Sequence, residues 1–165
     1  MRKLLYITFC LLILNGCWMY SFTGASIHPD AKTFSVKYFA VNAPLADPNY
    51  GQILSESLKD LLLSQTRLDL QKEDGDIQYE GYVKNYVVTT SQASGNETAS
   101  LNRLTITLNV KYTNTLDEEQ NFESSFSRFV DFNSSDDFAS LEQGLIEEIN
   151  EQLIQDIFDK SLGNW

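Results

Sequence analysis

Apolar and polar residues alternate with two different periods along this chain, and the change of period marks its elements. In Lys32–Ala40, KTFSVKYFA, Phe34, Val36 and Tyr38 share one face while Ser35 and Lys37 share the other, which predicts a half-buried strand. Asn42–Tyr50 holds two of the three prolines and reads as a loop. In Gly51–Gln65 the period lengthens: Ile53, Leu54, Leu58, Leu61 and Leu62 recur at helical spacing, with Glu56, Lys59 and Asp60 off the stripe. This helix starts near Pro48, whose missing N–H is harmless in a first turn. Leu68 and Leu70 make a short alternating piece, and Glu73-Asp74-Gly75-Asp76 is a turn signal.

Three strands follow. Ile77–Thr90 is rich in Tyr and Val, and Gly81 inside it points to a bulge or a close backbone approach. Arg103–Thr113 has the cleanest alternation. Leu104, Ile106, Leu108, Val110 and Tyr112 face one way; Thr105, Thr107, Asn109 and Lys111 face the other. Phe122–Phe132 slips phase between Phe126 and Phe129, which predicts a bulge. The polar link Asn114–Asn121 is short enough for an antiparallel hairpin. Ser91–Asn102 is long for one, and reads as a loop at the sheet edge. A second helix runs to about Ser161, before Gly163, on a stripe of Phe138, Leu141, Leu145, Ile149, Leu153, Ile157 and Phe158, widened by Ile146 and Ile154. Ser134, Ser135 and Asp136 offer it N-cap oxygens. The order β-α-β-β-β-α predicts an α+β fold: two helices packed on one face of a four-stranded, mostly antiparallel sheet. Its first two strands pair in parallel through a right-handed crossover.

The first residues follow another logic. Arg2 and Lys3 precede the apolar run Leu4–Leu14, which is shorter than the 18 or so residues a spanning helix needs. It reads as a secretory signal over residues 1–16. The boundary Leu14-Asn15-Gly16-Cys17 resembles the lipobox of bacterial lipoproteins, with Asn15 in place of the usual small residue. That resemblance implies acylation of Cys17 and its exposure as the first mature residue. Residues 17–30 then form a lipidated tether and 31–165 a single α+β domain. Cys10 leaves with the signal and Cys17 is consumed by lipid, so no thiol remains to form a disulfide. The core alone stabilises the domain, and a chain of this size buries roughly 70% of its unfolded surface.

Charge narrows the partners. The chain carries 12 basic and 23 acidic residues, a net charge of −11. Loss of Arg2 and Lys3 makes the mature form more acidic still, which argues against nonspecific nucleic-acid binding. Any anion must meet a local basic patch. Catalytic patterns are missing. His28, the one histidine, sits in the tether beside Pro29, and there is no Gly-x-Ser-x-Gly elbow, phosphate-cradling glycine loop or His/Cys metal spacing. Asp74-Gly75-Asp76 lacks the spacing of a calcium loop. Asp117-Glu118-Glu119 and Glu147-Glu148 read as a hairpin tip and a solvated helix face. The expectation is a non-enzyme without cofactor or metal.

The strand SLNRLTITLNVKYTN (Ser100–Asn114) resembles the LptE family of Bacteroidetes-type bacteria. YSFTGASI (Tyr20–Ile27), KTFSVKYFAVNAPL (Lys32–Leu45), NFESSFSRFVDF (Asn121–Phe132) and the ending LGNW are similar to the same group, in the same order. The resemblance implies a lipid-anchored lipoprotein on the periplasmic face of the outer membrane. It would plug and help fold the large LptD barrel and bind lipopolysaccharide, with no covalent step. Its fold would be two helices on a four-stranded sheet. The cations near the strand pair and its long loop, Lys84, Arg103 and Lys111, are the candidate lipopolysaccharide contacts, although the family's own basic residues do not align here position by position. The alternative is an accessory lipoprotein of another envelope lipid-transport or secretion complex.

Overall fold

The structure, a computed structural model, describes residues 27–92 and 100–163. The expected signal segment, the expected acylation site Cys17 and most of the expected tether lie outside the described residues, as do residues 93–99 and 164–165.

The chain forms β1 (Thr33–Val36), β2 (Ala40–Val41), α1 (Tyr50–Gln65), β3 (Asp69–Leu70), β4 (Ile77–Gln92), β5 (Ser100–Asn114), β6 (Phe122–Asn133) and α2 (Phe138–Leu162), with a 3₁₀ turn at Glu118–Gln120. The sheet order is β3-β1-β4-β5-β6, and β2 also pairs with β4. β1 and β4 are parallel, as expected across a helical crossover, and β4-β5-β6 is an antiparallel meander. The α+β class and the two-helix layer hold. The sheet has six strands rather than four, because two extra two-residue strands line the β1 edge. β3 is the short Leu68–Leu70 alternation. β2 continues β1 after a break at Lys37–Phe39 and pairs with the same neighbour through Ala40↔Tyr82 and Val41↔Val83.

Alternation placed the core correctly in β5 but not throughout β1, which ends at Val36: Tyr38, expected on its apolar face, is 62% exposed, and Ser35, expected on the polar face, is buried. Leu104, Ile106, Leu108 and Val110 are fully buried on the helix side, against Leu54, Leu58 and Leu62 of α1 and Ile149, Leu153 and Ile157 of α2. Burying each such side chain contributes about 1.5–3 kcal/mol. Ile53, although counted in the α1 stripe, is half-exposed; the buried face turns instead through Gly51 and Ser55. The first half of α2 is only half-buried, so its long stripe over-reads the packed length.

Two expectations about irregularity change place. β6 pairs with β5 without a register shift from Phe122 to Asn133. Phe129 therefore breaks the apolar phase by facing outward, not through a bulge. The irregularity lies in β4, between Val83 and Asn85. Gly81 is instead a close approach, since a Cβ there would stand 2.4 Å from the carbonyl oxygen of Asn109. Strand pairing runs into both ends of the expected Ser91–Asn102 loop, to Gln92↔Ser100, and these ends belong to the central β4-β5 hairpin and not to a sheet edge; residues 93–99 lie outside the described residues. The α2 N-cap is Asp137, without a side-chain cap bond; Ser135 and Asp136 close a turn on Asn133 instead.

The turn before β4 clamps the start of β1. Asp76 Oδ2 accepts from Lys32 N–H (2.9 Å), Thr33 N–H (3.0 Å) and Thr33 Oγ1 (2.8 Å), and Asp76 N–H donates to Thr33 Oγ1 (3.0 Å). These donors, led by the Lys32 amide, hold its carboxyl below the ordinary range. A depressed folded pKa gives stability that is complete above the unfolded value of about 4 and is lost as pH falls through the folded value. Asp76→Ala is expected to cost about 1–3 kcal/mol at pH 7. In urea melts the gap from wild type should narrow as pH drops toward 2; a gap independent of pH would contradict the clamp.

Candidate functional site

Both helices occupy one side of the sheet, so the other side is an open surface built from the outward residues of each strand. Its rows read Glu80–Lys111–Glu123, Tyr82–Asn109–Ser125, Asn85–Thr107–Ser127, Val87–Thr105–Phe129 and Thr89–Arg103–Asp131. A long antiparallel sheet with one solvated face alternates in this way. Neighbours across the rows satisfy one another. Thr107 and Ser127 hydroxyls lie 3.0 Å apart, and Asn109 Nδ2 donates to Tyr82 Oη and to Glu123 Oε1, both at 3.2 Å. The face is thus small, polar and internally paired, with an apolar island at Val87 and Phe129, 41% and 49% exposed.

The three candidate cations do not converge. Arg103 and Lys111 are both outward on β5, but eight residues separate them, about 27 Å of strand. Arg103 grips Asp131 with Nε–Oδ1 at 2.7 Å and Nη2–Oδ2 at 2.8 Å, and its guanidinium lies 3.7 Å from the Phe129 ring centroid. The pairing raises the Arg103 pKa and lowers that of Asp131. Lys111 donates to Glu80 at 3.1 Å, and so does Lys37, so one carboxylate serves two ammonium groups. Those two bonds, Lys111 first, depress the Glu80 carboxyl. Lys84 is exposed at the β4 irregularity, with no ion-pair partner among the described residues.

Sequence reasoning missed the partners of these cations. Asp131, Phe129 and Glu80 are outward in the registered strands, and only the register brings them to Arg103 and Lys111. Outward Lys37 and Glu80 carried the strand signal, but the parallel pairing of β1 with β4 is nonlocal. His28 takes part in a local turn, accepting at Nδ1 from Asp30 N–H at 3.3 Å.

On the helix side, hydroxyls of the sheet and α1 meet α2. Tyr79 Oη lies 2.8 Å from Ser161 Oγ, Tyr86 Oη donates to Glu142 at 2.6 Å, and Tyr50 Oη donates to Asn150 Oδ1 at 2.5 Å. Burial pushes all three phenols up, so they are neutral donors across the physiological range. These bonds fix the helices on the sheet and leave the open face as a rigid plate.

The model of the LptE family, described as lipopolysaccharide-assembly, matches residues 31–161. Among solved structures, the chain is similar to a Helicobacter pylori protein described as homologous to a neuraminyllactose-binding hemagglutinin, with a TM-score of 0.55 and 10% identity over 86% of this chain and 88% of that one. A Xanthomonas campestris protein gives 0.50 and 15% over 81% and 87%. A minor lipoprotein from Acinetobacter baumannii gives 0.48 and 14% over 81% and 97%. At these identities the likeness is one of fold alone. No curated protein matches the chain in sequence.

Proposed function

The chain belongs to the LptE family of lipopolysaccharide-assembly proteins, and on that premise we propose that it is a non-catalytic outer-membrane lipoprotein that plugs and helps fold an LptD-like barrel. The single observation that carries this reading is the family match across nearly the whole described domain. The open sheet face supports it physically. A plug needs a rigid core behind a surface compatible with a polar barrel lumen. Rows of Thr, Ser and Asn, paired laterally and backed by fully buried Leu and Ile, have that character. Acylated Cys17 would hold the domain on the periplasmic leaflet, with the tether spanning the gap to β1.

In this reading Arg103 contacts lipopolysaccharide phosphate through the Nη1/Nη2 edge of its guanidinium, since Asp131 holds the Nε/Nη2 edge and the remaining edge still offers two parallel donors. Lys84 and Lys111 are the accompanying cations at other points of the plate. Arg103→Glu is expected to weaken lipopolysaccharide binding about tenfold, the effect of one charge-assisted contact, as read by calorimetric titration of the purified lipoprotein. Unchanged affinity would remove Arg103 from the site.

Depletion of the protein in its own cells tests the assembly role. The expected result is loss of the correctly folded barrel and of newly made lipopolysaccharide at the surface. Normal lipopolysaccharide display, with failure of a different envelope complex, would overturn the assignment.

A further inference from the structure

We propose that the free edge of β6 accepts an extended strand from another polypeptide, one that sets basic residues opposite Glu123 and Asp131 and an apolar residue opposite Phe129. The docking runs through main-chain hydrogen bonds at the sheet edge, with side chains choosing the partner. It goes beyond the plug reading, in which side chains of the open face meet a barrel wall.

β6 ends the sheet order β3-β1-β4-β5-β6. In an antiparallel pair every second residue points its N–H and C=O away from its neighbour. The 12 residues of β6 pair with β5 alone, and the outward groups meet no other backbone among the described residues. Ser127, Arg128 and Phe129 are consecutive and exposed, so neither side of the sheet covers the middle of this edge. Natural sheets blunt an open edge with a bulge, a proline, a lysine or a very short strand. The opposite edge follows that rule: β3 has two residues, and the chain breaks at Lys37–Phe39 between β1 and β2. β6 has none of these devices. Its one arginine, Arg128, is tied to Asp156 of α2 at 2.6 and 2.5 Å, on the helix side.

Charge specifies the occupant. Across the open face Lys37, Glu80, Lys111 and Glu123 stand in one row, positive and negative in turn. Arg103 and Asp131 make a second row. Both rows end on a carboxylate at the β6 edge, so a further strand continues the alternation by supplying a base to each. Glu123 accepts from Asn109 Nδ2 at 3.2 Å and has no ion-pair partner among the described residues. Between the two carboxylates Phe129, 49% exposed, offers an apolar contact. Opposite charges and apolar pairs directly across two strands stabilise their pairing, and like charges oppose it. A second copy fits poorly. Two antiparallel β6 strands with both helix layers on one side, overlapped from Phe122 to Phe132, set Glu123 against Asp131 at both ends, and each chain already carries a net charge of −11.

NMR titration of the full, acylated chain in zwitterionic detergent tests this with threonine-rich strand peptides. One carries lysine at both ends and valine at the place opposite Phe129; its counterpart carries glutamate at both ends. The lysine peptide should bind about tenfold more tightly than the glutamate peptide, and should slow hydrogen exchange at every second β6 amide. N-methylation of alternate peptide amides should abolish binding in one phase and spare it in the other, a pattern that side-chain contact alone does not produce. Glu123→Lys should shift the preference toward the glutamate peptide, a gain that misfolding does not give. Equal affinity for the two peptides, or protection spread over the open face instead of the β6 edge, overturns the proposal. So does a dimer, seen by sedimentation of the free chain, that protects β6 without any peptide. No barrel enters these measurements, so their failure leaves the plug reading to its own test.

Discussion

Gly51→Ala will destabilise the domain by about 3 kcal/mol, at the upper end of the usual cost of overpacking. Gly51 stands in the first turn of α1, where the helix crosses the break between β1 and β2. A Cβ there would fall 1.9 Å from the carbonyl oxygen of Phe39 and 3.2 Å from Val41 Cγ2. Neither side has room to retreat. Phe39 N–H donates to Ser55 Oγ at 2.9 Å, and that hydroxyl donates to Gly51 O at 2.7 Å. Asn42 N–H is held by Val83 O at 3.0 Å. Relieving the clash therefore means opening a buried hydrogen-bond chain or lifting α1, with its buried Leu54 and Leu58, off the sheet. Gly144 provides the contrast. It lies in α2 with nothing within 4 Å of a built Cβ, so Gly144→Ala should stabilise by up to about 1 kcal/mol through helix propensity alone. Urea melts followed by far-UV circular dichroism give both values. A Gly51→Ala midpoint equal to that of wild type would contradict the close packing of α1 on the strand break.

The second large effect concerns location. Cys17→Ser is expected to move the protein from the membrane fraction to the soluble fraction. The reasoning is from the sequence: the apolar run before Cys17 is too short to span a bilayer and ends in a lipobox-like boundary. No described helix is long and apolar enough to cross a membrane. Each buried methylene contributes about 0.8 kcal/mol, and two or more chains make attachment stable where one is marginal. Removing the acylated thiol removes all of that at once. Retention of Cys17→Ser in alkaline-washed membranes would show a different mode of attachment.

What could be read in the sequence follows from the range of the forces. β5 was legible because its alternation is strict and one face is wholly buried; Leu104 to Tyr112 fell on the core side as the period required. α2 was legible in extent, expected to about Ser161 and observed over Phe138–Leu162, because its stripe is long. Phe129 misled because its break in the apolar phase was read as a bulge, while the unshifted register with Thr105 turns it outward under Arg103. β2 could not be foreseen, since a two-residue strand carries almost no periodicity and exists only because Tyr82 and Val83 are beside it. The candidate cations were found as residue types, but their environments were not. Asp131 opposite Arg103, and Glu80 between Lys37 and Lys111, are set by pairings across 28 to 43 positions of chain.

The family places the chain in lipopolysaccharide assembly; the specific proposal is a plug within a barrel. Its most direct test is to purify the tagged, acylated protein from its own cells in mild detergent and identify what comes with it by mass spectrometry. The account predicts one very large LptD-like barrel at about one-to-one stoichiometry, released only by denaturation. Recovery of other envelope proteins without such a barrel would contradict it.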